Sequence, residues 1–215
     1  YLNTLFDRCE HGFIEIRRKV TPDLTKREWI TLSDQNLPSF PDDENIFIGV
    51  ATRKNKYDGG GRNNLFQIPA VWLDIDFKDT EEVKARELIK KFSLKPSMIV
   101  NSGNGLHLYW LLENPAQPED IQKIEEVNKN LARHFEGDSQ TTDAAHVMRL
   151  PGTYNQKYTS KLVTIESHDA NKAYRIEDFN FLPLPSPPTQ PQSAAPDKNS
   201  ESYVDLLYGV EKGKR

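Results

Sequence analysis

The chain has 215 residues, 36% hydrophobic and 28% charged, with a net charge of −4 at pH 7. That length suits one sizeable domain with appendages, and the acidic balance argues against a protein that coats duplex DNA by charge alone. One cysteine, Cys9, excludes an internal disulfide and a cysteine-built zinc module, and fits a reducing, cytoplasmic compartment; no run is apolar enough for a membrane span, and a start at Tyr1 reads as a soluble fragment of a longer protein.

Residues 12–20 (GFIEIRRKV) and 45–53 (NIFIGVATR) read as strands. Each carries basic residues: Arg17, Arg18 and Lys19 in the first, then Arg53, Lys54, Lys56 and Arg62 in and after the second. Solvated surface charge is the plain reading of either cluster, and a local basic groove the functional one. A glycine-rich loop, KNKYDGGGRNN, leads to a strand at 69–77. A helix is predicted at about 80–92, with Asp79 and Glu82 as a capping box and Val83, Leu88, Ile89 and Phe92 inward. Residues 97–101 and 106–112 form a predicted hairpin around Ser102-Gly103-Asn104-Gly105. A second helix spans about 118–135, and short strands follow near 146–150 and 161–167.

This order contains a β-α-β-β-α-β passage. It predicts an α+β fold: an RNA-recognition-like (ferredoxin-like) antiparallel sheet with helices on one face, preceded by an N-terminal α/β subdomain. The main domain would span 1–182. Residues 183–200 (PLPSPPTQPQSAAPDKNS) read as a proline-rich linker. Residues 201–215 turn amphipathic and read as the start of a truncated helical domain.

Three stretches carry chemistry. In AVWLDIDFKD the period-two alternation of a strand puts Asp74 and Asp76 on one face, roughly 6–7 Å apart at the α-carbons. Like charges that close call for a cation, and oxygen ligands favour Mg²⁺ or Mn²⁺. The alternative is a solvent-facing edge strand. In NSGNGLHLYW, Gly103 and Gly105 permit positive φ and close backbone approach. The turn is suited to cradling phosphate, with Ser102 adding a hydroxyl and a protonated or donating His107 holding a triphosphate oxygen or orienting a carboxylate. The third stretch, TTDAAHVMRLPGTYNQK, offers Asp143, Arg149, Asn155 and Lys157. A third carboxylate would complete a site for two metal ions, and Arg149 and Lys157 would neutralise a triphosphate. Each of these residues also has a bland reading as a turn cap or surface charge.

Taken in order, the three stretches resemble the archaeo-eukaryotic primase (prim-pol) superfamily: Asp-x-Asp on a hydrophobic strand, Ser-Gly-x-Gly-x-His, then an Asp leading to Arg-Leu-Pro-Gly and a downstream Lys. The wording PGTYNQK is most similar to primases of plasmids, phages and other mobile elements, including CRISPR-linked ones. The resemblance covers roughly residues 45–168. It implies a template-dependent nucleotidyltransferase that makes primers and extends DNA. Asp74, Asp76 and Asp143 would bind two Mg²⁺ or Mn²⁺ ions, and no zinc. Ser102, Gly103, Gly105, His107, Arg149, Asn155 and Lys157 would bind the incoming dNTP or NTP. A single-stranded DNA template is the implied partner, with Arg53, Lys54 and Arg62 as contacts, and a helicase or C-terminal domain in the longer protein. His146 departs from the arginine often found there in archaeal relatives.

Three rivals use some of the same residues: a glycosyltransferase binding a metal–nucleotide-sugar through Asp-x-Asp, a nuclease, and a non-enzymatic replication-initiator domain. The first does not require the second and third stretches. The last calls for a basic recognition helix, and neither predicted helix is strongly basic.

Overall fold

Strand β1 (Phe13–Thr21) alternates buried isoleucines with charged side chains, and it pairs along its length with β2 (Leu24–Thr31). The computed structural model describes residues 1–182 apart from 22, 34 and 35. The linker and helical start expected at 183–200 and 201–215 lie outside the described residues. On its other side β1 pairs with β3 (Asn45–Gly49), which pairs with β7 (Val147–Arg149), giving an antiparallel sheet of order β2-β1-β3-β7. Ile14, Ile16, Ile46, Ile48 and Met148 fill its inner face. A short helix, α1 (Leu2–Phe6), buries Leu5 and Phe6 in the same core.

The second sheet is built on β6 (Gly105–Ala116), with β4 (Ile68–Asp76) along one side and β5 (Met98–Asn101) along the other. After β7 the two-residue strands β8 (Tyr154–Asn155) and β9 (Lys161–Leu162) pair with each other, and β10 (Thr164–His168) then extends the second sheet beyond β5. Helices α2 (Glu82–Lys91) and α3 (Ile121–Phe135) cover one face. There Trp110 of β6 meets Phe92 and Phe135, with ring centroids 5.9 and 6.0 Å away. This is the expected α+β arrangement.

The details differ in three places. β2 was not expected, because LTKREWIT is polar on both faces and carries no period-two signal. The capping box at Asp79 and Glu82 does not form: α2 starts after Glu81 with no side-chain cap. Val83 points outward at 70% exposure, while Ala85 is the buried residue of α2.

β4 is an edge strand, yet it does not face solvent. The amide of Trp72 donates to the Asn128 side chain, and the carbonyl of Asp74 accepts from the amide of Asp138. The free edge is thus closed by α3 and the segment after it. On the paired side, Gly105 lies so close to β4 that a Cβ would sit 2.0 Å from the Ile75 carbonyl oxygen. Gly105→Ala should therefore lower stability by about 1–3 kcal/mol, read from urea melts. An unchanged midpoint would show that the strands can part at no cost.

Candidate active site

The register of the second sheet sets Asp74 directly opposite His107 and Asp76 opposite Gly105. The Asp-x-Asp strand and the glycine turn are therefore one unit. The turn is tight: Gly103 has φ of +90° and its amide donates to the Asn101 side chain, while Ser102 donates its amide to the Gly105 carbonyl. β7 of the first sheet faces this unit. Between them lies a cavity of about 290 Å³ lined by Asp74, Asp76, Ser102, His107, Arg149 and Lys157, together with Phe47, Asn104, Thr141, His146, Val147, Met148 and Asn155.

Charges are unevenly compensated there. Lys157 Nζ lies 2.9 Å from Asp76 Oδ2, and the Lys78 amide donates to the other oxygen. Burial pushes Asp76 up, but these partners outweigh it and hold the carboxyl below its ordinary value. Asp74 lacks such partners. Burial, then the carboxylates of Asp138 and Asp76, raise it to about 7 against the partial relief given by Arg149 and Lys157. His107 Nε2 is 3.7 Å from Asp74 Oδ1, beyond hydrogen-bond range, and its Nδ1 is buried without a partner. Burial, with Arg149 and His146 nearby, lowers the imidazole to about 3. Of the two forms the sequence left open for His107, protonated or donating, this burial favours the neutral ring.

Arg149 reaches the cavity from β7. Its guanidinium donates to Asn45 Oδ1 at 2.6 Å and stands 4.9 Å from the centroid of the Phe47 ring. Asn155 lines the cavity but spends its amide on the backbone, donating to the Ser102 carbonyl and accepting from the Lys157 amide. It ties the glycine turn to the lysine loop. Lys161 adds a second tie to Asn104.

Several expected residues stand elsewhere. Asp143 is exposed, outside the cavity lining, and its carboxylate accepts from the Ala145 amide as a turn cap. Arg53 is fully buried and pairs with Glu15 at 2.9 Å, so it cannot contact DNA. Arg62 is half exposed and held by Glu125, and Lys54 is exposed with its ammonium on the Asn63 carbonyl. Gly103 and Gly105 shape the turn and strand without lining the cavity.

Asp138 is the residue that sequence reasoning missed. α3 ends with Glu136 in the left-handed region (φ 54°), and Gly137 follows at a point where a Cβ would meet the Asp74 carbonyl at 2.8 Å. That close approach brings Asp138 onto β4, where its amide bonds Asp74 and its charge acts on the Asp74 carboxyl, while its own carboxylate, like that of Asp143, lies outside the cavity lining and accepts from a turn amide, that of Gln140. The signal in the sequence was the glycine after the helix, followed by an acid. Among the described residues no three His, Cys, Asp or Glu side chains already converge as a metal cluster. No described helix is long and apolar enough to cross a membrane.

The fold has counterparts among solved structures. The primase-polymerase domain of cyanophage S-2L superposes with a TM-score of 0.61 at 19% identity, covering 85% of this chain and 94% of that one. The catalytic domain of primase RepB′, solved in complex with initiator DNA, gives 0.56 at 12% identity, with 83% and 88% coverage. Both likenesses concern the fold. A replication protein of Clostridium perfringens is 26% identical in an alignment that covers 78% of this chain but only 43% of that protein. The chain thus matches less than half of that relative's length. Residues 62–180, more than half of the chain and including β4, the glycine turn, Asp138 and the Arg149–Lys157 segment, match the RepB DNA-primase N-terminal domain, and the chain belongs to that family.

Proposed function

We propose that the chain is the catalytic domain of a DNA primase-polymerase acting in replication, joining nucleotides on a single-stranded DNA template. The observation that carries this reading is the cavity itself: two acidic side chains on β4 face a lysine, an arginine and a neutral histidine across one small volume. The solved relatives support it, being described as a primase-polymerase and as a primase bound to initiator DNA. A glycosyltransferase binding through Asp-x-Asp would not require the second and third stretches to line the same cavity as Asp74 and Asp76.

The donor set fits hard divalent cations. Carboxylate oxygens of Asp74 and Asp76 lie in the cavity, and Asp138 is the further carboxylate whose charge reaches Asp74. The raised Asp74 carboxyl marks negative charge in want of a counterion. Two Mg²⁺ or Mn²⁺ ions held by these residues would supply the charge neutralisation and polarisation that an in-line phosphoryl displacement needs. Arg149 and Lys157 bind the triphosphate, Lys157 exchanging its Asp76 contact for a phosphate oxygen. Neutral His107 donates to the same group without adding charge. Asn155 and Asn104 keep the glycine turn in register with the lysine loop. The residues position and neutralise; none forms a covalent intermediate.

The test is one assay in two arms, with Mn²⁺ or Mg²⁺, dNTPs or NTPs, and single-stranded template with and without an annealed primer. Product in the primed arm supports nucleotidyl transfer, and product in the unprimed arm supports priming. No product in either arm, from protein that still binds triphosphate, overturns the reading. The third carboxylate is tested alongside it. Asp138→Ala should lower the extension rate about 10²-fold or more, whereas Asp143→Ala should stay within threefold of wild type. The reverse order would return the role to Asp143.

A further inference from the structure

The outer face of the four-stranded sheet carries a row of side chains that the cavity does not account for. Arg27 of β2 is paired with Arg17 of β1, Arg17 with Phe47 of β3, and Phe47 with Arg149 of β7. Directly paired residues share a face. Arg27, Arg17, Phe47 and Arg149 therefore form one line across all four strands, about 14 Å long at the usual strand spacing. The line ends in the cavity, since Phe47 and Arg149 both line it. His146, also in the lining, is lowered by burial, with the charges of Asp138 and Asp143 opposing that shift and Arg17 adding to it. The neighbouring register positions add Trp29 on one side and Lys19 on the other.

The charge on this face is not balanced. Arg18, which points the other way, is matched by two acids, Glu28 and Glu44. Among the described residues of the outer face, Glu15 receives three guanidiniums: Arg17 and Arg27 at 2.6 Å each and Arg53 at 2.9 Å. The local excess is two positive charges, before Lys19 and Arg149 are added, in a chain whose net charge is −4. Arg17 and Arg27 remain 27% and 42% exposed, so their outer edges stay free to bind. The glycine loop borders the row. Gly60 lies against Glu15, where a Cβ would be 2.2 Å from its carboxylate oxygens, and Gly59 lies beside Arg27. The same loop presents Tyr57 at 83% exposure.

We propose that this row is the track of a single-stranded DNA template, with phosphates on Arg27 and Arg17 and a base against Phe47, leading the strand into the cavity at Arg149. The proposal rests on the nucleotidyltransferase reading of that cavity. Arginines at Arg27, Arg17 and Arg149 with an aromatic ring, Phe47, between the last two match a strand whose bases are unpaired. A duplex would offer the arginines its phosphates but give Phe47 and Trp29 nothing to stack on.

The test compares wild type with the double variant Arg17→Gln/Arg27→Gln and with a charge-matched control on α2, Lys90→Gln/Lys91→Gln. Binding of labelled oligo-dT is followed by anisotropy over a range of salt, and binding of dATP with Mn²⁺ is followed separately. The double variant should bind oligo-dT at least tenfold more weakly, and its salt slope should fall by about 1.4, or 0.7 per lost phosphate contact. Its dATP affinity should stay within twofold, and the control should match wild type. Unchanged oligo-dT affinity and slope in a folded double variant, a loss no larger than the control's, or a wild type that does not bind oligo-dT would each overturn the track. If the double variant does not fold, wild type cross-linked to bromodeoxyuridine-containing oligo-dT decides. Cross-links on peptides from β1, β2, β3 or the 54–62 loop support the proposal, and cross-links only elsewhere overturn it. A wild type that binds through these arginines yet extends no primer fails the activity reading and leaves the track standing.

Discussion

Asp74→Asn is expected to abolish synthesis and, at the same time, to stabilise the metal-free protein at pH 8. The two effects share one cause. Asp74 sits in a poorly solvated pocket near two other carboxylates, and its carboxyl is raised from 3.8 to about 7. A carboxyl whose pKa is raised by folding favours the folded state while protonated and opposes it once ionised. Its contribution is therefore full below about pH 4 and lost as pH climbs through about 7. The shift corresponds to a cost on the order of 2–4 kcal/mol at pH 8, and partial solvent access at Asp74 favours the low end. The neutral amide removes that cost, so the Asp74→Asn variant should melt higher than wild type at pH 8 and equally at pH 4. Mn²⁺ should raise the wild-type melting temperature and leave the variant nearly unmoved. Extension should fall about 10²–10³-fold or more. A variant that melts at or below wild type at pH 8 would show that Asp74 is not under electrostatic load.

Glu15→Ala carries the largest expected loss of stability. Glu15 is inaccessible to solvent, as is Arg53 beside it, and Arg53 Nε already lacks a partner. Burial lowers Arg53 to about 10 despite the opposing pull of Glu15. Removing the carboxylate strands a buried guanidinium and leaves Arg17 and Arg27 facing it, at a cost of about 3–5 kcal/mol. Against a total stability of about 5–15 kcal/mol, much of the protein would be close to unfolding at 37 °C. Urea melts of Glu15→Ala and Glu15→Gln measure this, and a loss under 1 kcal/mol in both would mean that water replaces the carboxylate. Burial raises the Glu15 carboxyl, but its three arginines outweigh this and hold it below its usual value. Its stabilisation is thus present at neutral pH and lost in acid, opposite in sign to that of Asp74.

The two aspartates on β4 were legible because a strand's period of two is local: residues two apart share a face whatever else the fold does. The glycine turn was legible for the same reason, as were the helices α2 and α3 with their spaced apolar residues. Asp138 was hidden because its place depends on a left-handed residue and a close backbone approach, and neither shows as a pattern of polarity. Arg53 was misread because an arginine in a basic run looks exposed, and only the pairing with Glu15, 38 residues earlier in the chain, shows that it is buried. Asp143 sits at the spacing that the family pattern suggested, but a turn directs its carboxylate to its own backbone. β2 escaped notice because its partner strand, and not its own composition, makes it a strand.

The fourth strand of the N-terminal sheet has a consequence for how the protein is made. β7 joins β3 from about a hundred residues downstream, with Phe47 opposite Arg149. A growing chain that has released β1, β2 and β3 from the ribosome still exposes the side of β3 that β7 will cover. At about 5–20 residues per second, that edge stays open for several seconds while β4 to α3 are synthesised. The second sheet, whose β4, β5 and β6 follow one another closely, can assemble in the meantime and present its carboxylates before the arginine that faces them exists. Nascent chains stopped before residue 147 would therefore carry half of the cavity and an unpaired strand edge, which is a template for pairing with another chain.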